Sequence, residues 1–162
     1  MLTSPTDVDV ILRLGTAVVC GGVIGLERDW RNMPTGFRTL AIVCLGSCVA
    51  VLAAIKAGDS DGFSRVAQGI VTGIGFLGGG VIVQTGRAKD VKGLTTAAAI
   101  WLTAALGLLC GLGELVLALG VAALAVIVLL FDNALKSLRD EQPPEKVATP
   151  AKSPDQPGKT NG

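Results

Sequence analysis

The residues able to do chemistry in this chain crowd between two apolar runs. Glu27, Arg28, Asp29 and Arg31 stand together, and Arg38 opens the next run. Glu27 and Asp29 offer the oxygens that magnesium prefers, but Arg28 and Arg31 beside them repel a dication. The same arginines, with Arg38 and the hydroxyls of Thr95 and Thr96, favour an anion instead. A lipid phosphate or a partner's carboxylate is the kind of group that guanidinium groups and helix N-termini hold. Glu27 lies where a helix C-terminus disfavours negative charge, and Arg38, across a short turn, is the expected partner. The plainer use of the same residues is structural: Glu27 and Arg38 lock a hairpin, and the threonines cap a helix.

Other patterns carry less. Gly73-Ile74-Gly75-Phe76-Leu77-Gly78 fits the dinucleotide fingerprint. That motif needs a preceding strand and a trailing acid on the next strand, and here Gly79 and Gly80 follow directly. Phosphate-loop spacing is absent. Cys20, Cys44, Cys48 and Cys110 all fall inside apolar runs and read as small packing residues. Cys44 and Cys48, one helical turn apart, lack a histidine to complete a soft-metal site, since the chain contains none. With no nucleophile–base pair, neither enzymatic activity nor a cofactor is expected, and no feature points to nucleic acid. Whether a metal binds is left open.

The elements that position these residues are apolar and long. Half of the 162 residues are hydrophobic and 17% are charged, with a mean hydropathy of +0.60. Five stretches, about 8–26, 39–56, 66–86, 93–113 and 115–131, fill most of the chain. Crossing hydrocarbon takes about 17 to 25 residues, and backbone groups in lipid must be satisfied within each segment. The expected fold is therefore all-α: a polytopic membrane protein with five transmembrane helices. The first run carries Asp9 and Arg13, whose spacing puts them on one face near one end, where they can pair or snorkel. Acidic residues precede this run, unlike a removable signal peptide.

Basic residues set the orientation. Arg28, Arg31, Arg38, Arg87, Lys89, Lys92, Lys136 and Arg139 fall on one side, and Arg13, Lys56 and Arg65 on the other. The positive-inside rule places the N-terminus outside and the C-terminus in the cytoplasm. Residues 140–162, rich in proline and charge, are expected to be a disordered cytoplasmic tail. Glycines at i, i+4 (Gly21/Gly25, Gly69/Gly73, Gly75/Gly79 and Gly107/Gly111) are expected to pack helices closely. Their number predicts self-association, most simply as a dimer, besides contact with the bilayer and a membrane-protein partner.

Three motifs give a family resemblance. Gly25-Leu26-Glu27-Arg28-Asp29-Trp30-Arg31 continues through Gly36-Phe37-Arg38-Thr39 to Leu45-Gly46-Ser47. Arg65-Val66-Ala67-Gln68-Gly69-Ile70-Val71-Thr72-Gly73 leads into the glycine run, and Val91-Lys92-Gly93-Leu94-Thr95-Thr96 ends at Trp101. In order and spacing these segments resemble the MgtC/SapB membrane proteins. The resemblance implies a bacterial inner-membrane protein associated with growth at low magnesium and, in pathogens, survival inside host phagocytes. Arg65 and Trp101 join the candidate cluster because they lie in the second and third motifs. Leu40 departs from the pattern, standing where many relatives have histidine. A folded cytoplasmic domain after the last span, present in several relatives, is replaced by the tail, so a short form is expected.

Two functions fit these readings. One is an interaction protein that modulates a partner or a membrane property through its cytoplasmic face. The alternative is a transporter or channel for magnesium or another cation, acting as an oligomer. A cation path leaves carboxylates or polar rings at membrane depth. Spans two to five offer only Ser47, Thr72, Thr103 and glycines there, which favours the modulator.

Overall fold

The computed structural model describes residues 6–58, 61–84 and 93–140, with 83–84 and 132–140 by backbone alone. It is all-helical: α1 (Asp7–Trp30), α2 (Phe37–Lys56), α3 (Gly62–Gln84), α4 (Leu94–Leu112) and α5 (Leu115–Asp140). Helices α1 to α4 are long and apolar enough to cross a membrane, while the apolar part of α5, Leu115–Phe131, is shorter. The expected tail beyond residue 140 and the basic loop 87–92 lie outside the described residues.

Helix ends explain where the boundaries differ from expectation. α1 starts at a capping box, with the Thr6 hydroxyl and the Asp9 carboxylate exchanging hydrogen bonds with each other's backbone N–H. Asp9 is thus committed to the cap and does not pair with Arg13. Arg13 instead donates from Nη1 to the Gly111 carbonyl, 2.7 Å away, at the C-terminus of α4. A cation there meets both an orphan carbonyl and the negative end of the helix dipole. At its other end α1 continues past residue 26 to Trp30, so Glu27 to Trp30 ride on its last turn. Asn32, at φ 54°, closes that turn. Its N–H donates to the Asp29 carbonyl and the Met33 N–H to the Arg28 carbonyl, the paired bonds of a left-handed helix stop.

Within the bundle, α4 is central and touches the other four helices, and α2 is wedged between α1 and α4. The interior is built from small and branched residues one turn apart: Leu40, Cys44, Cys48 and Leu52 of α2 face Cys20 and Ile24 of α1 and Ala104 and Cys110 of α4. Large apolar side chains point outward, Val116 at 87% and Ile42 at 68% exposure among them, as lipid-facing residues should. Glycine makes the close approaches. A Cβ on Gly21 would sit 2.5 Å from the Leu40 carbonyl oxygen, and one on Gly111 2.5 Å from Val51 Cβ; one on Gly107 would overlap the Cys44 carbonyl. All four cysteines are free and buried in this interior.

Candidate functional site

The last turn of α1, the loop 31–36 and the starts of α2 and α4 meet at one end of the bundle. Arg28 holds them together. Its side chain is among the largest fully buried ones, with the residue only 2% exposed. Nε donates to the Thr35 carbonyl at 3.1 Å, and Nη2 donates to the Thr96 hydroxyl. A guanidinium suits this place because its planar fork serves two acceptors at once. Its charge also lies at the C-terminal end of α1, where a cation is stabilised.

Glu27 is buried too, but it pairs with Arg31 and not with Arg38. The reason is the extra turn of α1: once the helix runs to Trp30, Arg31 sits at i+4 from Glu27, and the ion pair forms along one face. Glu27 Oε1 faces Arg31 Nε without a well-aligned hydrogen bond. Asp29 has a different task. Its Oδ2 accepts from the Phe37 N–H at 2.9 Å, so a side chain from α1 caps α2, whose own N-cap, Gly36, has no side chain to do so. Gly36 leaves room for this cap, because a Cβ there would coincide with the Asp29 carboxylate and push it aside. Gly25 likewise admits the Phe37 backbone, whose Cα would lie 2.5 Å from an added Cβ.

The other sequence candidates scatter. Thr96 is buried and bonded to Arg28, whereas Thr95 is exposed on an apolar groove between α4 and α5, beside Ala98, Leu102 and Val121. Neither caps α4; its N-cap is Gly93, at φ 98°. Arg38 is exposed and lines a shallow pocket with Asp29, Phe37 and Thr39. Trp101 is about half exposed on the lipid-facing side of α4. Arg65 lies in the first turn of α3, at the opposite end of the bundle.

One residue of the site escapes sequence reasoning. Thr35 is 7% exposed and supplies the backbone carbonyl that Arg28 grips. Its hydroxyl is buried without a hydrogen-bond partner. Nothing in a Pro-Thr-Gly turn distinguishes a carbonyl that matters from one that does not. Around this knot, Trp30 is 82% exposed, Met33 is partly exposed, and Phe37 is partly exposed beside Arg38. Among the described residues, no three histidine, cysteine or acidic groups gather to hold a metal ion. The arrangement is thus a buried cationic knot with an aromatic and basic rim.

Comparison with known proteins places this geometry. A family model described as the MgtC family matches residues 14–138. The protein MgtC of Salmonella typhimurium strain LT2 is 45% identical over 126 residues, covering 77% of this chain and 51% of the relative. Protein SrpB of Synechococcus elongatus is 46% identical over 114 residues, 62% of each chain. The protein MgtC of Brucella abortus is 42% identical over 123 residues, 75% of this chain and 49% of the relative. The chain therefore spans about half the length of the MgtC proteins it matches. No solved structure matches it.

Proposed function

This chain belongs to the MgtC family of multi-pass membrane proteins, and we propose that it acts in the bacterial inner membrane as a partner-binding modulator under magnesium limitation. In pathogens the same activity would serve survival inside host cells. The observation that carries this reading is the inventory of buried polar groups. Among the described residues they are Glu27, Arg28, Thr35, Ser47, Thr96 and Thr103. Four of these belong to the knot at one end. Within the spans only Ser47 and Thr103 remain, and the Thr103 hydroxyl donates back to the Ala99 carbonyl of its own helix. A cation path would need acceptors along the bundle, and the interior of one chain supplies a knot and small apolar residues instead.

The working surface is then the rim: Trp30 and Arg38, presented by a hairpin that Arg28 and Asp29 hold rigid. Aromatic and arginine side chains are the usual anchors of interfaces, and an acidic partner or lipid phosphate complements Arg38. The positive-inside rule supports a cytoplasmic rim. The test is complementation of growth at low magnesium by the full chain in a strain lacking it. Arg38→Ala and Trp30→Ala should lose complementation at unchanged membrane level and thermal stability. Full complementation by both would overturn the rim. Magnesium flux above background in sealed liposomes holding the purified protein would instead favour the transporter.

A further inference from the structure

A groove of about 290 Å³ opens between the start of α2, the C-terminal half of α3 and α4. Phe76, Leu77, Gly80, Val81 and Ile100 form its apolar part, and Thr35 and Thr39 form the part beside the knot. At Gly80 the space is open, since a Cβ there would meet nothing within 4 Å. Thr39 also lines the shallow pocket of Asp29, Phe37 and Arg38. An apolar groove and a charged pocket therefore adjoin at one residue.

The polar groups at this junction are incompletely used. Arg28 and Arg31 have partners, whereas Arg38 makes no ion pair or hydrogen bond among the described residues. Asp29 accepts from the Phe37 N–H through Oδ2 alone, which leaves Oδ1 to meet a cation. Thr35 is 7% exposed, and its hydroxyl has no partner among the described residues. Trp30, 82% exposed beside the knot, marks this end as headgroup depth, where tryptophan concentrates.

We propose that groove and pocket together hold one phospholipid with a phosphoethanolamine headgroup. The phosphate pairs with Arg38, the ammonium with Asp29, and one acyl chain lies along Phe76, Leu77 and Gly80. Charge complementarity selects this occupant. An anion alone would meet the Asp29 carboxylate, and a metal cation alone would meet the Arg38 guanidinium; a zwitterion satisfies both. A staggered turn about the Thr35 Cα–Cβ bond brings its hydroxyl to an ester carbonyl of the seated lipid. The proposal rests on the rim reading, because it names what Arg38 holds.

The full chain, purified in mild detergent from vesicles with equal phosphatidylethanolamine and phosphatidylglycerol, tests this by native mass spectrometry. One phosphatidylethanolamine per chain should be retained in preference to phosphatidylglycerol. Gly80→Leu fills the groove and should cut retention roughly tenfold at an unchanged melting temperature. Arg38→Ala should weaken both lipids, whereas Asp29→Asn, which can still cap Phe37, should abolish the preference for ethanolamine. Photo-crosslinking from benzoylphenylalanine placed at Leu77 should add the mass of one phospholipid. A species of twice the chain's mass, a link to another protein, or a link only within this chain would overturn the proposal. So would absence of retained lipid, or retention unchanged in Gly80→Leu. Growth at low magnesium is a separate readout. Lipid retention alongside full complementation by Arg38→Ala and Trp30→Ala would sink the rim alone, and lost complementation without any retained lipid would sink the lipid alone.

Discussion

Arg28 and Thr96, 68 positions apart in sequence, are joined by a buried hydrogen bond from guanidinium to hydroxyl. That bond fastens the start of α4 to the α1–α2 hairpin. Hydrogen bonds to charged groups contribute about 1.5–3 kcal/mol, so Thr96→Val should destabilise the purified protein by roughly that much in denaturant titrations. Arg28→Lys keeps the charge but not the fork, and should cost at least as much. Since both changes remove the same bond, the double variant should lose less than the sum of the two. Strict additivity would show that Arg28 acts mainly through other contacts.

Glycines in this chain sort by what surrounds them. Gly107→Ala forces a methyl group onto the Cys44 carbonyl and the Ser47 side chain and should destabilise by about 1–3 kcal/mol, the usual cost of overpacking. Gly46→Ala, where nothing lies within 4 Å, should be neutral or stabilising by up to about 1 kcal/mol from helix propensity. Thermal unfolding of the two variants side by side checks the contrast.

Asp29 and Gly36 form a coupled pair. Asp29→Ala removes the cap on the Phe37 N–H and should cost about 0.5–2 kcal/mol. Gly36→Ala alone should cost more, because its methyl displaces the carboxylate. In an Asp29→Ala background the same Gly36→Ala change should become milder. An undiminished cost in that background would place the strain elsewhere in the turn.

The rim's charge predicts the orientation. A cysteine at Asn32 should resist an impermeant reagent added to intact cells and react once the membrane is opened. One at Asp61, in the turn at the opposite end of the bundle, should react from outside. The reverse pattern would invert the topology.

How much of this was readable from residues alone depends on what sets each feature. The apolar runs declare the helices and their order, because hydrocarbon tolerates no unsatisfied backbone. Their ends are less legible: α1 persists through Glu27, Arg28, Asp29 and Trp30, and the stop comes only where Asn32 accepts a left-handed backbone. That one turn changes Glu27's partner from Arg38 to Arg31. Glycine spacing is equally ambiguous. Gly107/Gly111 and Gly69/Gly73 look the same in sequence, yet the first pair abuts α2 and a Cβ on either of the second meets nothing within 4 Å among the described residues. Thr35 is silent because its main-chain oxygen, not its side chain, does the holding.

The central position of α4 has a consequence for biosynthesis. Chains emerge N-terminus first, and the helix that touches all the others is the fourth to be made. Until it arrives, the recess on α2 that receives Gly107 and Gly111 faces lipid, and Arg28 has no Thr96 to bond. The guanidinium must wait at the membrane boundary, in reach of water. Hairpin α1–α2 can close early, through Asp29, Gly25 and Gly36, but the knot ties only when the fourth span enters. A translocon that released the first three helices into the bilayer separately would leave the bundle without its keystone. The full set of interhelix contacts therefore depends on α4 being in place.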